Sequence, residues 1–375
     1  MRSVPMFLFI NLVLLFVLTF YCALRGYQVL RPFSQVVVFG YIAVLISLFV
    51  SCFVGLVWGA DMPPAIGKPL TLFGYSYIII FVYLLASFFI VDIFRLTNHF
   101  FHIISPAVML GVRQWTFIAT VISTVIVFVV GNYRFQHPEI VRLEVNTEKS
   151  HQEKTVRIVM ASDLHLGVTI DKKRLDKFVH LINEQQPDIV LFAGDVVDRR
   201  MEPLVQQRMD EELSRIQAPL GVYTISGNHE YISGVPDQVK LFMEKAGVVF
   251  LRDTVCLVDS SFYLIGRDDH TNKQRKQLSE LVGELNDNLP RILLDHQPYN
   301  LSEAEQNNIN LQLSGHTHAG QFFPINLIVK RLFELPYGYK KKGNTHYFVS
   351  SGLGIWGPPF RIGTQSELVV IDIKI

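Results

Sequence analysis

At residues 158–167 the chain reads IVMASDLHLG. The four apolar residues at its start fit a strand buried on both faces, and Asp163 and His165 follow where that strand ends. Alternate side chains of an extended segment point the same way, so Asp163 and His165 can both reach one ion. Taken alone the pair is weak evidence, because an Asp after a strand is more often an N-cap or a loop contact.

The same arrangement, an apolar strand that runs into Asp, Asn or His, recurs four times. The clusters are Gly194-Asp195-Val196-Val197-Asp198, Ser226-Gly227-Asn228-His229-Glu230, Asp295-His296-Gln297-Pro298 and Ser314-Gly315-His316-Thr317-His318. Ligands of open α/β sheets gather beyond the carboxyl ends of strands. Five strands that deliver such side chains to one edge predict a metal site. Imidazole and carboxylate without thiolate suit Zn, Mn, Fe, Co or Ni better than Ca.

The surrounding pattern predicts an α/β layered domain. Helical periodicity covers 172–186, 236–246 and 274–286, with Leu175, Phe178, Val179 and Ile182 on one face of the first helix. Apolar strand patterns separate these helices and continue to residue 373. About 230 residues are enough for a substantial core.

These motifs resemble the calcineurin-like metallophosphoesterases, whose pattern is Asp-x-His, Gly-Asp-x-x-Asp, Gly-Asn-His-Glu/Asp, His and Gly-His-x-His. The stretches PLGVYTISGNHEY, LLDHQP, SGHTHAGQFFP and SSGLGIWGPPFRIG resemble a membrane-tethered branch. That branch contains the vertebrate transmembrane protein with metallophosphoesterase domain and the bacterial YkuE/YaeI-type phosphoesterases. The resemblance covers about residues 140–375 and implies a four-layer α-β-β-α sandwich with two divalent metal ions.

The resemblance also implies a role for each motif residue. One ion is held by Asp163, His165 and His318, the other by Asn228, His296 and His316, and Asp195 bridges the two. His229 is the general acid, or a hydrogen-bond donor to the transition state, beside the metals. Asp198 belongs to the outer shell of the site. Metal-bound hydroxide then attacks the phosphorus in line.

Three arginines are candidate substrate contacts. Arg199 and Arg200 follow the second cluster, and Arg361 lies in the glycine-rich segment 352–363. An arginine fork reads phosphate well, although an exposed loop arginine is usually only solvated. The apolar segment 321–335 is either an ordinary helix packed on the core or a lip that dips into a bilayer.

The N-terminal third is apolar enough for a membrane. We predict a transmembrane region at 1–134 with helices at about 5–24, 34–58, 69–91 and 114–133. A connector with the first strand at 135–154 and the metallophosphoesterase domain at 155–375 follow it. The segment 100–112, which holds His102 and Pro106, suits an interfacial or re-entrant piece. A cleaved signal peptide is the alternative for the first helix, but the segment lacks a small-x-small cleavage site.

These spans predict an integral protein of a bacterial inner or plasma membrane. Positive charges near the membrane balance on its two sides, so the side of the catalytic domain stays open. The resemblance favours the extracytoplasmic side. The formal net charge of +1 and the lack of a basic stripe give no sign of a nucleic-acid partner.

The sequence thus predicts a membrane-bound, metal-dependent phosphohydrolase that cleaves a phosphoester or pyrophosphate bond. A lipid-linked substrate is favoured, such as a nucleotide-sugar lipid of the UDP-diacylglucosamine type, a phospholipid or a polyprenyl phosphate. The alternatives are a hydrolase of soluble phosphodiesters or nucleotides, and a transporter or sensor with a regulatory metal domain. The oligomeric state is open.

Overall fold

The computed structural model describes residues 6–59, 61–147 and 154–375. The chain divides into two compact units, Met1–Val129 and Val130–Ile375. The predicted boundary at residue 134 lies a few residues after this division, and the finer division near 154 stays a prediction.

The first unit is helical. Its helices are α1 (Met6–Leu30), α2 (Gln35–Trp58), α3 (Pro64–Phe101) and α4 (Pro106–Gln136), the last turns of α4 belonging to the second unit. All four are long and apolar enough to cross a membrane, by length and composition. This confirms the four apolar helices that the sequence predicts.

The expectation for residues 100–112 is wrong. Phe101 ends α3, and Pro106 begins α4, so this segment is divided between two long helices and does not form a piece of its own. His102 ends α3 because its backbone is left-handed, with φ 48°. Proline is well suited to begin α4 because its fixed φ fits the first helical turn.

The helices of this unit pack through an apolar cluster, and two further contacts are specific. A Cβ on Gly74 would lie 2.5 Å from the Cα of Cys52, so α2 and α3 approach closely where small residues meet. Near the other end of α3, Asp92 accepts hydrogen bonds from Tyr21 Oη at 2.8 Å and Arg95 Nη1 at 3.0 Å, and Arg25 Nη2 lies 2.6 Å from it. The predicted third span stops at residue 91 and therefore excludes this ionic cluster.

The described residues of the second unit form twelve strands. They are β1 (Glu139–Asn146), β2 (Thr155–Ala161), β3 (Ile189–Phe192), β4 (Val222–Ile225), β5 (Val249–Leu251), β6 (Thr254–Val258), β7 (Phe262–Gly266), β8 (Arg291–Leu294), β9 (Leu311–Ser314), β10 (Gly338–Lys342), β11 (Thr345–Val349) and β12 (Glu367–Lys374).

Short helices connect these strands. They are α5 (Lys172–Glu184), α6 (Glu202–Gln206), α7 (Met209–Leu213), α8 (Asn228–Ile232), α9 (Pro236–Lys245), α10 (Leu278–Val282), α11 (Ser302–Gln306) and α12 (Ile325–Leu332), with a 3₁₀ turn at His318–Gly320. Asp171 caps α5 by accepting from the backbone N–H of Arg174. The predicted helix at 274–286 is reduced to the five residues of α10.

The strands form two six-stranded mixed sheets, in the orders β1-β12-β2-β3-β4-β5 and β10-β11-β9-β8-β7-β6. Strands β2, β3, β4 and β5 run parallel in the first sheet, as do β7, β8, β9 and β11 in the second. The candidate loops therefore leave the carboxyl ends of parallel neighbours.

Successive side chains of a strand point to opposite faces of its sheet and so pack into different hydrophobic cores. Ile158 and Met160 of β2 pack with Ile292 and Leu294 of β8 in a core between the sheets. Val159 and Ala161 face the opposite way, into a core with Leu175, Phe178, Val179 and Ile182 of α5. Leu293 of β8 points into a third core with α10 and α11. The predicted α/β fold class is confirmed, with helices outside two stacked mixed sheets.

Candidate active site

Five loops bring the predicted side chains together at the strand ends. Asp163, His165 and His318 each offer one ligand atom, and these atoms lie within 4.8 Å of one another. The Nε2 atoms of His165 and His318 are 3.0 Å apart, and His318 Nε2 is 3.3 Å from Asp163 Oδ1. Strands β2 and β9 belong to different sheets, so this group forms where the two sheets meet.

A second group of the same kind contains Asp195, His296 and His316. His296 Nε2 lies 3.1 Å from Asp195 Oδ2, and Asn228 Oδ1 lies 2.8 Å from His316 Nδ1. The same Asp195 oxygen is 3.8 Å from His165 Nε2. The carboxylate of Asp195 therefore lies between the two groups, where a bridging ligand would be needed.

The chemistry of these residues fits divalent cations. Asp163 and Asp195 are buried, and the ion-pair partners found for them are histidine rings. The Nδ1 of His296 donates to the carbonyl of Ala193 at 2.7 Å, which leaves its Nε2 unprotonated in the neutral ring. That Nε2 is buried and has no hydrogen-bond partner. An aimed lone pair beside a buried carboxylate is the donor pattern of a metal site.

The imidazoles and carboxylates of the site also stabilise one another's charge. Burial would lower the pKa of His296, but Asp195 and Asp163 raise it well above its usual range. Burial alone would raise the pKa of the Asp163 carboxyl, but His318, His296 and His165 hold it well below its usual range. Burial would also raise the pKa of the Asp195 carboxyl, but His296, His165 and His229 outweigh this effect and lower it. Both carboxyls are therefore ionised at neutral pH and need positive charge nearby.

Five of these residues have strained backbones. Asp163, His165, Asp195, His316 and His318 all have φ between 49° and 71°, in the left-handed region. Each such residue costs about 1–2 kcal/mol. Strain that clusters on chemically active side chains is typical of functional sites, where the surrounding fold compensates it.

Two glycines permit the close packing of these loops. A Cβ on Gly227 would lie 2.2 Å from Asp195 Oδ1, and one on Gly315 would lie 2.3 Å from Asp163 Oδ2. No side chain fits at either distance. The two positions that precede Asn228 and His316 must therefore remain glycine for the carboxylates to stay where they are.

Glu230 is a positioning residue that the sequence motif contained without a role. Its carboxylate accepts from the backbone N–H groups of Gly227 at 2.6 Å, Val197 at 2.9 Å and Asp195 at 3.1 Å. Burial and the charge of Asp195 raise its pKa to about 7. Glu230 thus ties the loop after β3 to the loop after β4. Its place at the end of Gly-Asn-His-Glu was the signal available in the sequence.

A third set of possible metal ligands joins His165, Asp195 and His229, whose ligand atoms lie within 4.8 Å of one another. His229 therefore lies next to both groups. Its Nδ1 donates to the carbonyl oxygen of Asp198 at 2.7 Å and lies 3.3 Å from Asp198 Oδ1. Burial disfavours the charged ring, but the hydrogen bond with Asp198 and the charges of Asp195 and Asp198 outweigh it and raise the pKa of His229 to about 9. The ring is therefore protonated at neutral pH, as a proton donor must be.

The three candidate arginines lie in different surroundings. Arg199 is exposed and Arg200 half-buried. Arg361 is fully buried and donates to the carbonyl oxygens of His318 at 3.1 Å, Gly352 at 2.9 Å and Gly354 at 2.6 Å. A guanidinium held in this way braces the loops behind the candidate ligands, so its placement does not favour contact with substrate.

A cavity of about 230 Å³ opens onto the polar groups. Asp195, His229, His316 and His318 line one part of it, and the lining also includes Phe322, Ile325, Val329 and Trp356. The apolar part comes from α12 and its flanking turns, and Ile325 and Val329 had no assigned role in the sequence pattern. One helical turn separates these two residues, which places them on the same face of α12.

Two stacked mixed sheets with carboxylates and imidazoles gathered at their shared edge form an arrangement that suits metal-dependent hydrolysis. Residues 156–320 match the family described as calcineurin-like phosphoesterase. Together with relatives that are at least 30% identical over two thirds of their length, this match shows that the chain belongs to the family, which confirms the predicted resemblance and the predicted class of metal-dependent phosphoesterases.

Several relatives support the family assignment. The chain is similar to the uncharacterized metallophosphoesterase Cj0846 of Campylobacter jejuni, with 31% identity over 68% of each chain. It is 30% identical to the transmembrane protein with metallophosphoesterase domain of Danio rerio, over 70% of this chain and 64% of that protein. A metallophosphoesterase of Helicobacter pylori is 32% identical over 59% of this chain, which spans 60% of the relative's length. Bacillus subtilis YkuE also matches. The apolar helices and the names of such relatives support membrane association.

Proposed function

We propose that the chain is a membrane-bound hydrolase that holds two divalent metal ions and cleaves a phosphoester or pyrophosphate bond of a lipid-linked substrate. One observation carries the choice of substrate. The cavity in front of His316 and His318 is walled by the apolar side chains of Phe322, Ile325 and Val329. Apolar lining beside a charged centre suits a substrate with a phosphate at one end and an apolar group next to it.

Seven side chains form the metal centre in this proposal. Asp163, His165 and His318 hold one ion, Asn228, His296 and His316 hold the other, and Asp195 reaches both. When bound, two divalent ions lower the pKa of water and neutralise phosphate oxygens, which supplies a nucleophile at neutral pH. Glu230 keeps the Asp195 and Asn228 loops in register through its three backbone contacts.

His229 donates the proton to the leaving oxygen. Its Nδ1–H is engaged with the carbonyl of Asp198, so proton transfer uses Nε2. The carboxylate of Asp198 favours the protonated ring, since its hydrogen bond and charge raise the pKa of His229 against the effect of burial. Once the proton has left, the ring is neutral and Asp198 still fixes its orientation, so it is ready to be protonated again by water.

A substrate panel tests the proposal. Purified full-length protein with Mn²⁺ is assayed on a phospholipid, a polyprenyl phosphate and a nucleotide-sugar lipid, and on soluble nucleotides and a chromogenic phosphodiester. We expect kcat/KM for one lipid-linked ester to exceed that for the soluble esters by roughly 10²-fold, because its apolar group gains contact with the cavity wall. Hydrolysis of soluble nucleotides alone would overturn the lipid assignment in favour of the soluble alternative.

A variant of the candidate metal centre distinguishes an enzyme from a transporter or sensor. Asp195→Asn removes the charge that faces both groups and is expected to abolish hydrolysis. A membrane activity that survives in this variant, with hydrolysis lost, would support the regulatory reading over the catalytic one.

A further inference from the structure

Helix α12 presents an apolar surface to the outside of the second unit. None of its eight residues is buried. Leu327, Ile328 and Leu332 are 50%, 56% and 68% exposed, and Phe323, two residues before the helix, is 49% exposed. We call Ile328 and Leu332 the outer face of α12; Leu327 lies on another side of the helix. A helix in a folded domain normally buries its apolar stripe against the core, and this one does not.

The stripe is continuous with the cavity. Ile325, Ile328, Val329 and Leu332 follow the i, i+3, i+4, i+7 spacing of one helical face. Ile325 and Val329 line the cavity, while Ile328 and Leu332 face outward. One apolar strip therefore runs from the polar groups of the active site to the surface.

The surroundings of the outer face are basic and aromatic. Lys330 and Arg331 lie in the last turn of α12. On β10, Lys340 is paired with Glu334, and Lys342 with Glu305 and Glu334, so the cationic character comes mainly from α12. Trp356, 42% exposed, lines the cavity, and Gln321 fixes it by accepting from its backbone N–H at 2.9 Å and donating to its carbonyl at 2.7 Å. Apolar side chains ringed by lysine, arginine and tryptophan form the composition of an interfacial helix on an anionic bilayer.

We propose that the outer face of α12 docks on the headgroup and acyl boundary of an anionic lipid bilayer and leads a lipid-linked ester into the cavity. The delivery of a lipid-linked ester rests on the proposed function, whereas the contact between α12 and the bilayer can be measured without it. Cationic side chains match anionic headgroups, and the chain already carries four helices long and apolar enough to cross a membrane. A protein partner or a second copy would need no cavity behind the same helix.

Depth-dependent quenching tests the contact without any hydrolysis. Of the three native cysteines, Cys22 and Cys52 are buried and only Cys256 is partly exposed. Cys256→Ser therefore removes the native thiol that a label could reach. Ile328→Cys in this background is then labelled with an environment-sensitive fluorophore. The matched control is Leu241→Cys on α9, whose leucine is 65% exposed. Both full-length proteins are reconstituted in phosphatidylcholine–phosphatidylglycerol vesicles that contain doxyl-labelled lipid.

We expect quenching at position 328 to be at least about threefold that at position 241, because only the former lies among acyl chains. Equal weak quenching at both positions would overturn the proposal. Absent quenching together with disulfide crosslinking between two Ile328→Cys chains would assign the face to a second copy and overturn it as well.

A second measurement uses activity. The double variant Ile328→Glu, Leu332→Glu is compared with Leu241→Glu on a vesicle-embedded ester and on a soluble ester. We expect the double variant to lose roughly tenfold in kcat/KM on the embedded ester alone. Equal loss on both esters would show damage to the fold and contradict the proposal. If the unmodified protein cleaves no lipid ester, the proposed function fails, while the quenching still decides whether α12 docks.

Discussion

The imidazole ring of His229, the proposed proton donor, is oriented by a hydrogen bond at its Nδ1 atom. Its Nδ1 bonds the Asp198 carbonyl, and the nearby carboxylates raise its pKa to about 9. We expect His229→Ala to lower kcat by roughly 10²–10⁴-fold, because the leaving oxygen loses its proton donor. Bound metal, measured by elemental analysis, is expected to stay the same.

His180→Ala is the matched control, since His180 is exposed on α5 and touches none of the candidate ligands in the described contacts. It is expected to leave kcat and metal content unchanged. If His229→Ala retained full turnover, the proton would come from elsewhere. If it lost metal, His229 would act as a ligand.

Variants of Arg361 and Arg199 test which arginine stabilises the fold and which binds the substrate. Arg361→Gln removes bonds to three buried carbonyl oxygens and is expected to lower the free energy of unfolding by about 3 kcal/mol, because unpaired buried carbonyls are costly. Arg199→Gln, at an exposed position, is expected to leave stability unchanged and to raise KM roughly tenfold through loss of a charged hydrogen bond to phosphate. Denaturant unfolding and steady-state kinetics on each variant provide the measurements.

The opposite pattern would reverse the two assignments. A stable Arg361→Gln protein with raised KM would return Arg361 to the substrate site. An unchanged KM in Arg199→Gln would leave Arg199 as a solvated loop residue.

At the scale of elements, Asp92 is the ionic tie between α1 and α3. It bonds Tyr21 and Arg25 of α1 and Arg95 of α3. Asp92→Asn leaves two partly buried guanidiniums with a weaker acceptor, and we expect the helical unit to lose about 1–2 kcal/mol, a factor of roughly 5–30 in its open population. The rate at which a maleimide modifies the buried Cys22 in detergent measures this opening.

Arg31→Gln serves as the control, because Arg31 follows the end of α1 and is exposed. Its maleimide rate is expected to match that of the unmodified protein. An Asp92→Asn protein with an unchanged Cys22 rate would show that packing alone, such as that at Gly74 and Cys52, holds the helices.

The elements differ in how well the sequence predicts them. Strands β2, β3, β4, β8 and β9 were predictable because each is a buried apolar run that ends in a polar motif, and α5 because its apolar spacing is regular. The start of α4 at Pro106 was not, because His102 and Pro106 look like breaks in an apolar run. Helix α12 could be recognised as apolar, but whether its apolar stripe is covered depends on distant chain.

The candidate site follows the same logic. Asp163 and His318 are far apart in sequence, yet each follows a buried strand, so their convergence could be predicted because ligands gather beyond the carboxyl ends of strands. That β2 and β9 belong to different sheets could not be derived from the strand patterns. The assignments of individual ligands stay predictions. Arg361 could not be judged, because its partners at His318, Gly352 and Gly354 are fixed only by long-range folding.

At the scale of the whole molecule, we expect metal binding to stabilise the second unit, because strain and negative charge are concentrated at the candidate centre. Asp163 and Asp195 are buried and ionised, and five candidate ligands have left-handed backbones. Ions that bind only the folded unit should stabilise it by about 2.7 kcal/mol at a concentration 100-fold above Kd. For a unit of this size that is roughly 5–10 °C in Tm. Thermal scans of the full chain in detergent, with Mn²⁺ and with a chelator, are expected to differ by that amount.

Asp195→Asn makes the comparison specific to the centre. The amide keeps the volume of the side chain but removes the charge that lies between His165 Nε2 and His296 Nε2, so the variant is expected to give the same Tm with Mn²⁺ and with chelator. If the unmodified protein also gave one Tm in both conditions, these carboxylates and imidazoles would not hold metal at all. A shift preserved in Asp195→Asn would place the binding elsewhere. A difference in Tm between Mn²⁺ and chelator that is present in the unmodified protein and absent in Asp195→Asn would show that metal bound at the Asp195 carboxylate stabilises the unit.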